Sequence, residues 1–494
     1  MKRLISLMLA LVLICASFAA CAKPADEETP AGGNGGPSPS SAETEAAAEE
    51  TEDPRLTVSD DLPDEKFDGR TFCIATEERA RFEPVVEDLT GDSTNDALYN
   101  RNLTVSERFG VKLETLTVAD GPNTAIKAAS SGTHDYDIIS LINYLSGSAI
   151  VKQVFHNWYE VPHVDLTKPW WSNLIVENST INGKVYTVTG DLAVTALTYT
   201  ISMFFNQKVC TDWGYAPDTL YGMVYEDRWT ADRFISVVDS IYTDNNGNGK
   251  KDVNDTFGLG TNGIDAVDVW ISAFDQPVTG RDEEGFMTIT LVDDKMVSIL
   301  EKLIALINQS PGSFAAYPAL WMERDYLKSD LAAFSPLPFS ECFSGLRDME
   351  NPYGILPMPK FDENQERYLT TLVDEFSMFG AMKTVQSDDL DYVGIIFTAL
   401  SAESYRSVYP AYYDVALKNK YSEDPDTARM IDLIMEGRTF DLAFTFGVSY
   451  LNRFPYCIRD LVQAGSTDIA SRYAAAEKAV QVGIGKINDA YRSD

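Results

Sequence analysis

Between residues 70 and 142 the hydrophobic period of the sequence switches repeatedly, and that switching limits the folds open to it. RTFCIAT (70–76) reads as a strand. Residues 94–109 place Leu98, Leu103, Val105 and Phe109 at roughly helical spacing. Residues 111–118 alternate like a strand, 123–131 look helical, and Ile138 and Ile139 in HDYDIISLIN fit a short buried strand. Strands and helices alternating in this way predict an α/β sheet.

The same texture continues. In INGKVYTVTGDLAVTALTYTISMFFNQKV (181–209), Asn182-Gly183 is a hairpin signal, and 185–188 and 198–205 are β-rich. Thr230 precedes a helix with Phe234, Val237, Val238 and Ile241 on one face. Met296, Leu300, Leu303 and Ile307 mark another amphipathic helix. Strand texture returns in YGILPMPKF and FSMFGAM, and the last hundred residues read as helices over 386–402, 424–437 and 467–491. No internal repeat is visible.

The N-terminus is different in kind. Lys2 and Arg3, a short apolar run over 4–14 and small residues before Cys21 make a secretory signal over 1–20. FAAC (18–21) matches a bacterial lipobox, with Phe where Leu is commoner, so Cys21 is the expected lipidation site. Residues 22–54 are Gly, Pro, Ser, Ala, Thr and Glu with little that is apolar, too little to offset the entropy of ordering. As a flexible coil that stretch spans about 30 Å. The expected location is the extracellular face of the cell membrane, held by a lipid.

The remainder is long enough for two or three domains with real cores. No later stretch is long and apolar enough to span a bilayer. A net charge of -35 spread along the chain argues against nucleic acid and against docking on anionic lipid. Cys73, Cys210, Cys342 and Cys457 are widely separated with no CxxC pattern, which reads as isolated buried thiols.

With these pieces in order, the chain resembles an extracellular solute-binding lipoprotein of the sugar-type ABC importers (family 1) of Gram-positive bacteria. The resemblance runs from about residue 66 to the end. It rests on HDYDIISL, LTKPWWSN, the 181–209 stretch, DRWTADRF, RDMENPYGILPMPKFDENQERY and SVYPAYYDVALKNKYSEDPDTARM. It implies a two-lobed, type II periplasmic-binding-protein-like α/β fold, with discontinuous lobes joined by crossover strands. The expected cuts are 21–65 for lipidated Cys and linker, 66–195 with 335–384 for the first lobe, and 196–334 with 385–494 for the second. It further implies hinge closure around a carbohydrate, delivery to ABC permease subunits, and a monomer.

A sugar site needs flat aromatic platforms and side chains that form hydrogen bonds. The candidates are Trp170 and Trp171 after Pro169, Asp191 before the first expected crossing, the cluster Tyr409, Tyr412 and Tyr413, and Asp374 with Glu375 near the second. Trp270 and Trp321 of the second lobe read as core. The rival reading is a lipid-anchored extracellular glycoside hydrolase, which needs two carboxylates about 5–9 Å apart. With 75 acidic residues, spacing alone identifies no such pair. G-x-S-x-G, HExxH and P-loop patterns are absent, and no catalytic residue is assigned. A sugar-sensing surface protein with the same fold is the third reading.

One motif stands outside this scheme. DNNGNGKKDVND (244–255) follows the twelve-residue EF-hand loop. Its ligand positions hold Asp244, Asn246, Asn248, the Lys250 carbonyl, Asp252 and Asp255, with Gly249 at the turn. Asp instead of Glu at the last position shortens that arm. A helix ending near Thr243 precedes the loop and a strand starting near Phe257 follows, so the paired helices of a sensor are missing. The expectation is one structural Ca2+, away from the sugar.

Overall fold

The computed structural model describes residues 53–80, 84–262, 265–316, 322–413 and 425–492. Cys21 and the expected signal lie outside them, as do Trp321 and the expected linker up to residue 52; residues 53–65, assigned to the linker, are described and pack on the body through Asp60, which corrects that boundary.

Twelve strands are present among the described residues. They are β1 Thr71–Glu77, β2 Lys112–Val118, β3 Ile138–Ile142, β4 Ile201–Asn206, β5 Tyr242–Thr243 and β6 Thr256–Asn262. Then come β7 Thr279–Arg281, β8 Met287–Ile289, β9 Ser313–Ala316, β10 Ala332–Pro338, β11 Tyr353–Leu356 and β12 Ser377–Ala381.

The first sheet has the order β12-β3-β1-β2. β1 pairs in parallel with both β2 and β3, while β12 adds antiparallel to β3. Every residue of β3 is buried, which is why its sequence is a continuous apolar run and not an alternation. β2, at the edge, has no buried residue. The Leu390–Glu403 helix covers this sheet and is buried from Tyr392 to Ala402. Its Tyr392 meets Phe72 edge-on at 5.8 Å, and Phe397 meets Phe379 at 5.7 Å and Trp158 at 4.3 Å.

The second sheet has the order β11-β4-β10-β6-β5, with β9 also on β6. The Pro425–Glu436 helix packs on β11, and Asp294–Ile304 packs on Cys457–Ala464. Two of the chain's passages between the sheets bond to each other. Ile201 N–H donates to the Thr371 carbonyl (3.1 Å) and Val373 N–H to the Tyr199 carbonyl (2.9 Å).

These placements correct the expected lobe boundaries. β10, which runs through residue 335, and β11, which lies beyond it, belong to the second sheet, and the chain rejoins the first only at β12. The 390–403 helix, assigned to the second lobe, packs on the first sheet. Local period reports that a segment is a strand or helix. It does not report which sheet receives it.

Elsewhere the local readings hold closely. The helices Ser93–Phe109, Ala231–Asp239, Asp294–Ile304 and Ile469–Arg492 fall where the periodicity puts them. Asp92 caps the first of these by accepting from the Thr94 and Asn95 N–H groups. The run 198–205, read as β-rich, starts later: Thr198 closes a short helix, Val194–Thr198, and β4 begins at Ile201. The four described cysteines form no disulfide among the described residues; Cys210 and Cys457 are buried, and Cys73 and Cys342 half-buried. Among the described residues no helix is long and apolar enough to cross a membrane.

Candidate functional site

Beyond Glu403 the helix widens into a π turn over Ser404–Val408. The fully buried Arg101 donates to the Ser404 hydroxyl (3.1 Å) and ties this turn to the Ser93–Phe109 helix. Tyr405, Tyr409 and Tyr413 follow at four-residue steps, which brings their rings together. Tyr405 and Tyr409 are 6.5 Å apart, and Tyr409 and Tyr413 stack at 6.0 Å and 17°.

Asp191 approaches this face from the TGD loop. Its N–H donates to the Trp170 carbonyl (3.0 Å). Gly190 makes that approach possible, because a Cβ there would meet the Trp170 carbonyl oxygen at 2.4 Å and the Trp171 ring at 2.6 Å. Arg438 follows the Pro425–Glu436 helix and is buried. It donates to the Met435 and Ala196 carbonyls, both at 3.3 Å, and so is fixed beside the crossing. Burial pushes the Asp191 carboxyl up to about 7, against the pull of the Arg438 and Arg55 charges. Among the described residues neither the Asp191 carboxyl nor the Tyr405 and Tyr409 hydroxyls have a hydrogen-bond partner. Tyr413 donates to Asp432 (2.9 Å).

The face therefore offers aromatic rings, a carboxyl with a raised pKa, a fixed guanidinium and free hydroxyls. These are the groups a polyhydroxylated solute uses. Asp191, Tyr409 and Tyr413 were candidates from the sequence. Tyr405, Arg438 and Arg55 were not. Tyr405 was legible, being four residues before Tyr409 on a helical segment; the two arginines carried no local signal.

The other candidates fare differently. Trp170 and Trp171 are corrected from platform to core, at 1% and 2% exposure. Trp171 lies 5.4 Å from Phe397, and Trp170 backs Tyr405 at 6.4 Å. Both indole N–H groups are buried without a partner among the described residues, at a cost of about 1–3 kcal/mol each unless water satisfies them. Tyr412 is also core, against Phe343 at 4.1 Å. Trp270 packs on Phe234 and Phe274, as expected of core. Asp374 accepts from the Tyr456 hydroxyl (2.9 Å), and Glu375 is exposed; neither joins the tyrosine face.

A second polar group lies at the carboxyl ends of β1 and β3, where the strand order reverses. Glu77 Oε1 accepts from the Ile142 N–H (3.3 Å), and burial raises its pKa. Its other oxygen and the Asn143 side-chain N–H2 are buried without partners among the described residues. Thr445 donates to Asn143 (2.8 Å), which closes this end with the Leu442–Phe446 helix. Nearby, a cavity of about 150 Å³ is lined by Gln276, Thr279, Thr439, Asp441 and Phe444, among others. Solute pockets usually hold about 300–1,000 Å³, so this one suits a few waters better than an oligosaccharide.

The 244–255 loop connects β5 to β6, a hairpin; the preceding helix ends at Asp239, not near Thr243. Gly249 takes φ +71° at the turn. Asp244 accepts from the Asn248 and Gly249 N–H groups (3.2 and 2.8 Å), and the Asn248 side chain donates to Asp252 (2.6 Å). Asp255 is wholly buried; one oxygen accepts from the Asp252 N–H (3.0 Å) and the Tyr242 hydroxyl (3.2 Å), and the other has no partner among the described residues. Among the described residues no three His, Cys, Asp or Glu side chains converge as a metal site by themselves. This loop mixes Asp with Asn, and its orphaned carboxylate oxygen fits a hard cation.

No protein-family model matches the sequence, and no curated protein matches it. Solved structures do. UspC of M. tuberculosis superposes with a TM-score of 0.54 at 14% identity, over 85% of this chain and 100% of that one. A cyclic alpha-maltosyl-1,6-maltose binding protein from Arthrobacter globiformis gives 0.53 at 12%, over 85% and 100%. An ABC transporter solute-binding protein from Agrobacterium radiobacter K84, in complex with ribitol, gives 0.51 at 11%, over 84% and 99%. The chain has the α/β fold of ABC-transporter solute-binding proteins, built on the two large sheets with β7–β8 as a small third one.

Proposed function

We propose that this protein is the substrate-binding lipoprotein of an ABC importer, capturing a carbohydrate between its lobes for ABC permease subunits. The observation that carries the reading is the meeting of Asp191, Arg438 and three tyrosines beside the crossing of a solute-binding fold. Neighbours of that fold are described as binding a cyclic maltosyl-maltose and ribitol, both polyhydroxylated. The protein is a monomer that releases its solute unchanged. Calorimetry against a panel of polyols and oligosaccharides, with product analysis of the same mixtures, tests this. Saturable binding without product supports it, and turnover would make the protein a hydrolase. Saturable binding with no permease encoded nearby would favour a sensor.

The lipid is attached at Cys21, outside the cytoplasmic membrane, and Cys21→Ala releases the protein from the membrane fraction. Unchanged processing and membrane retention of that variant would remove the anchor from the reading. The 244–255 loop holds one Ca2+ on Asp244, Asn246, Asn248, the Lys250 carbonyl, Asp252 and Asp255, which staples β5 to β6. The orphaned Asp255 oxygen supports this. Binding only the folded state, the ion stabilises by mass action.

A further inference from the structure

Residues 58–61 are clamped to the first-sheet side of the molecule. Asp60 accepts from Arg108 (2.6 and 3.1 Å) and Arg406 (3.2 Å). Arg406 also holds the Val58 carbonyl (2.6 Å), and Lys168 the Ser59 carbonyl (3.1 Å). These anchors deliver the short 3-10 turn Pro54–Thr57 to the tyrosine face. There the Arg55 guanidinium lies 5.1 Å from the Tyr409 ring centroid and 5.8 Å from that of Tyr413. Asp53 orients it by accepting from the Arg55 N–H (2.9 Å) and guanidinium (3.4 Å).

We propose that Arg55 is an internal occupant of the tyrosine face, and that solute binding displaces residues 53–57 while the Asp60 clamp stays closed. This rests on the reading of that face as the sugar site. A guanidinium over two rings is a cation–π contact, and it takes the place in which a sugar would stack. The turn is lightly held beyond that contact: Leu56 is 61% exposed. A group on so short a leash competes at a millimolar effective concentration, which weakens a rival several-fold without excluding it. Solute capture is thereby linked to release of the segment that continues toward Cys21.

The test uses the full chain, with N-acetyl-L-arginine amide as a probe that reproduces the Arg55 side chain. Arg55→Ala should bind the probe saturably. The parent and Arg55→Lys should bind it at least about fivefold more weakly, and adding Tyr409→Ala to Arg55→Ala should abolish binding. Equal probe affinity in parent and Arg55→Ala, or none in either, overturns the proposal. Titrations with ribitol and maltotriose separate its failure from that of the site. Tighter sugar binding in Arg55→Ala with loss in Asp191→Ala supports both. Weaker binding in both variants makes Arg55 a sugar contact, which overturns the occupant and keeps the site. Sugar affinity unchanged in both removes the site, and the proposal with it.

Discussion

Asp60 binds both terminal nitrogens of Arg108, at 2.6 and 3.1 Å, and with them pins the N-terminal strap to the Ser93–Phe109 helix. Burial would raise the Asp60 pKa. The Arg108 bond and charge, with help from the Leu62 backbone and Arg406, outweigh it and lower the value. Asp60→Ala should cost about 1–3 kcal/mol at neutral pH, the low end being expected because Arg108 is 37% exposed. A depressed carboxylate pKa gives stability that is present above the unfolded value near 4 and is lost as pH falls through the folded one. Thermal melts at pH 7 should therefore separate parent and variant, and melts near pH 2 should not. A gap that persists in acid would mean that packing, not charge, holds the strap.

Asp191 works in the opposite sense. Burial raises its carboxyl to about 7, so its neutral form favours the fold. That stability is full below the unfolded value near 4 and is lost as pH rises toward 7. Asp191→Asn should raise the melting temperature at pH 8 relative to the parent and change little at pH 4. Sugar affinity should fall in the same variant if the carboxylate accepts from the solute. A stability change independent of pH would place Asp191 outside the buried environment described above.

The contrast between Trp171 and Tyr409 separates core from site. Trp171→Ala should cost about 3–5 kcal/mol of stability and leave the sugar affinity of the folded fraction near the parent's. Tyr409→Ala should do the reverse, with affinity down about tenfold or more and a smaller loss of stability. Denaturant melts and calorimetry on the same samples decide. Equal affinity losses in both variants would return Trp171 to the site.

Asp255 tests the calcium loop through a change of sign. With excess calcium, the parent should melt above Asp255→Asn, because the ion uses the buried oxygen. With chelator the order should close or invert, because the parent then buries an unpaired carboxylate oxygen. Asp244→Ala should melt like the chelated parent, and sugar affinity should not follow the ion. Identical curves with chelator and calcium would reduce the loop to a turn.

Much of the local structure was legible because one element carries one period. The Ser93–Phe109 helix and the apolar run of β3 could be read from single windows. What could not be read was each element's partner. Trp170 and Trp171 look like platforms in a loop, and only Phe397, far along the chain, shows that the second of them is core. Asp191 and Tyr409 were identifiable as residue types, while their meeting needed two crossings and a π turn. Arg438 and Arg55 are lone basic residues whose importance lies wholly in what they face. Arg55 also sits at the margin of a stretch whose composition reads as linker.

The registry of β12 on β3, Ser377 opposite Ile142 through Ala381 opposite Ile138, has a consequence for biosynthesis. Until residue 381 has been made, the all-buried strand IISLI stands at an open sheet edge, with its N–H and C=O groups unsatisfied on one side. A nascent chain stopped before β12 is thus a sticky intermediate and not a smaller version of the fold. That edge stays open across more than 230 residues of synthesis, counted from Ile142 to Ser377. Fragments ending before residue 377 should aggregate on release, whatever their content of correctly formed strands.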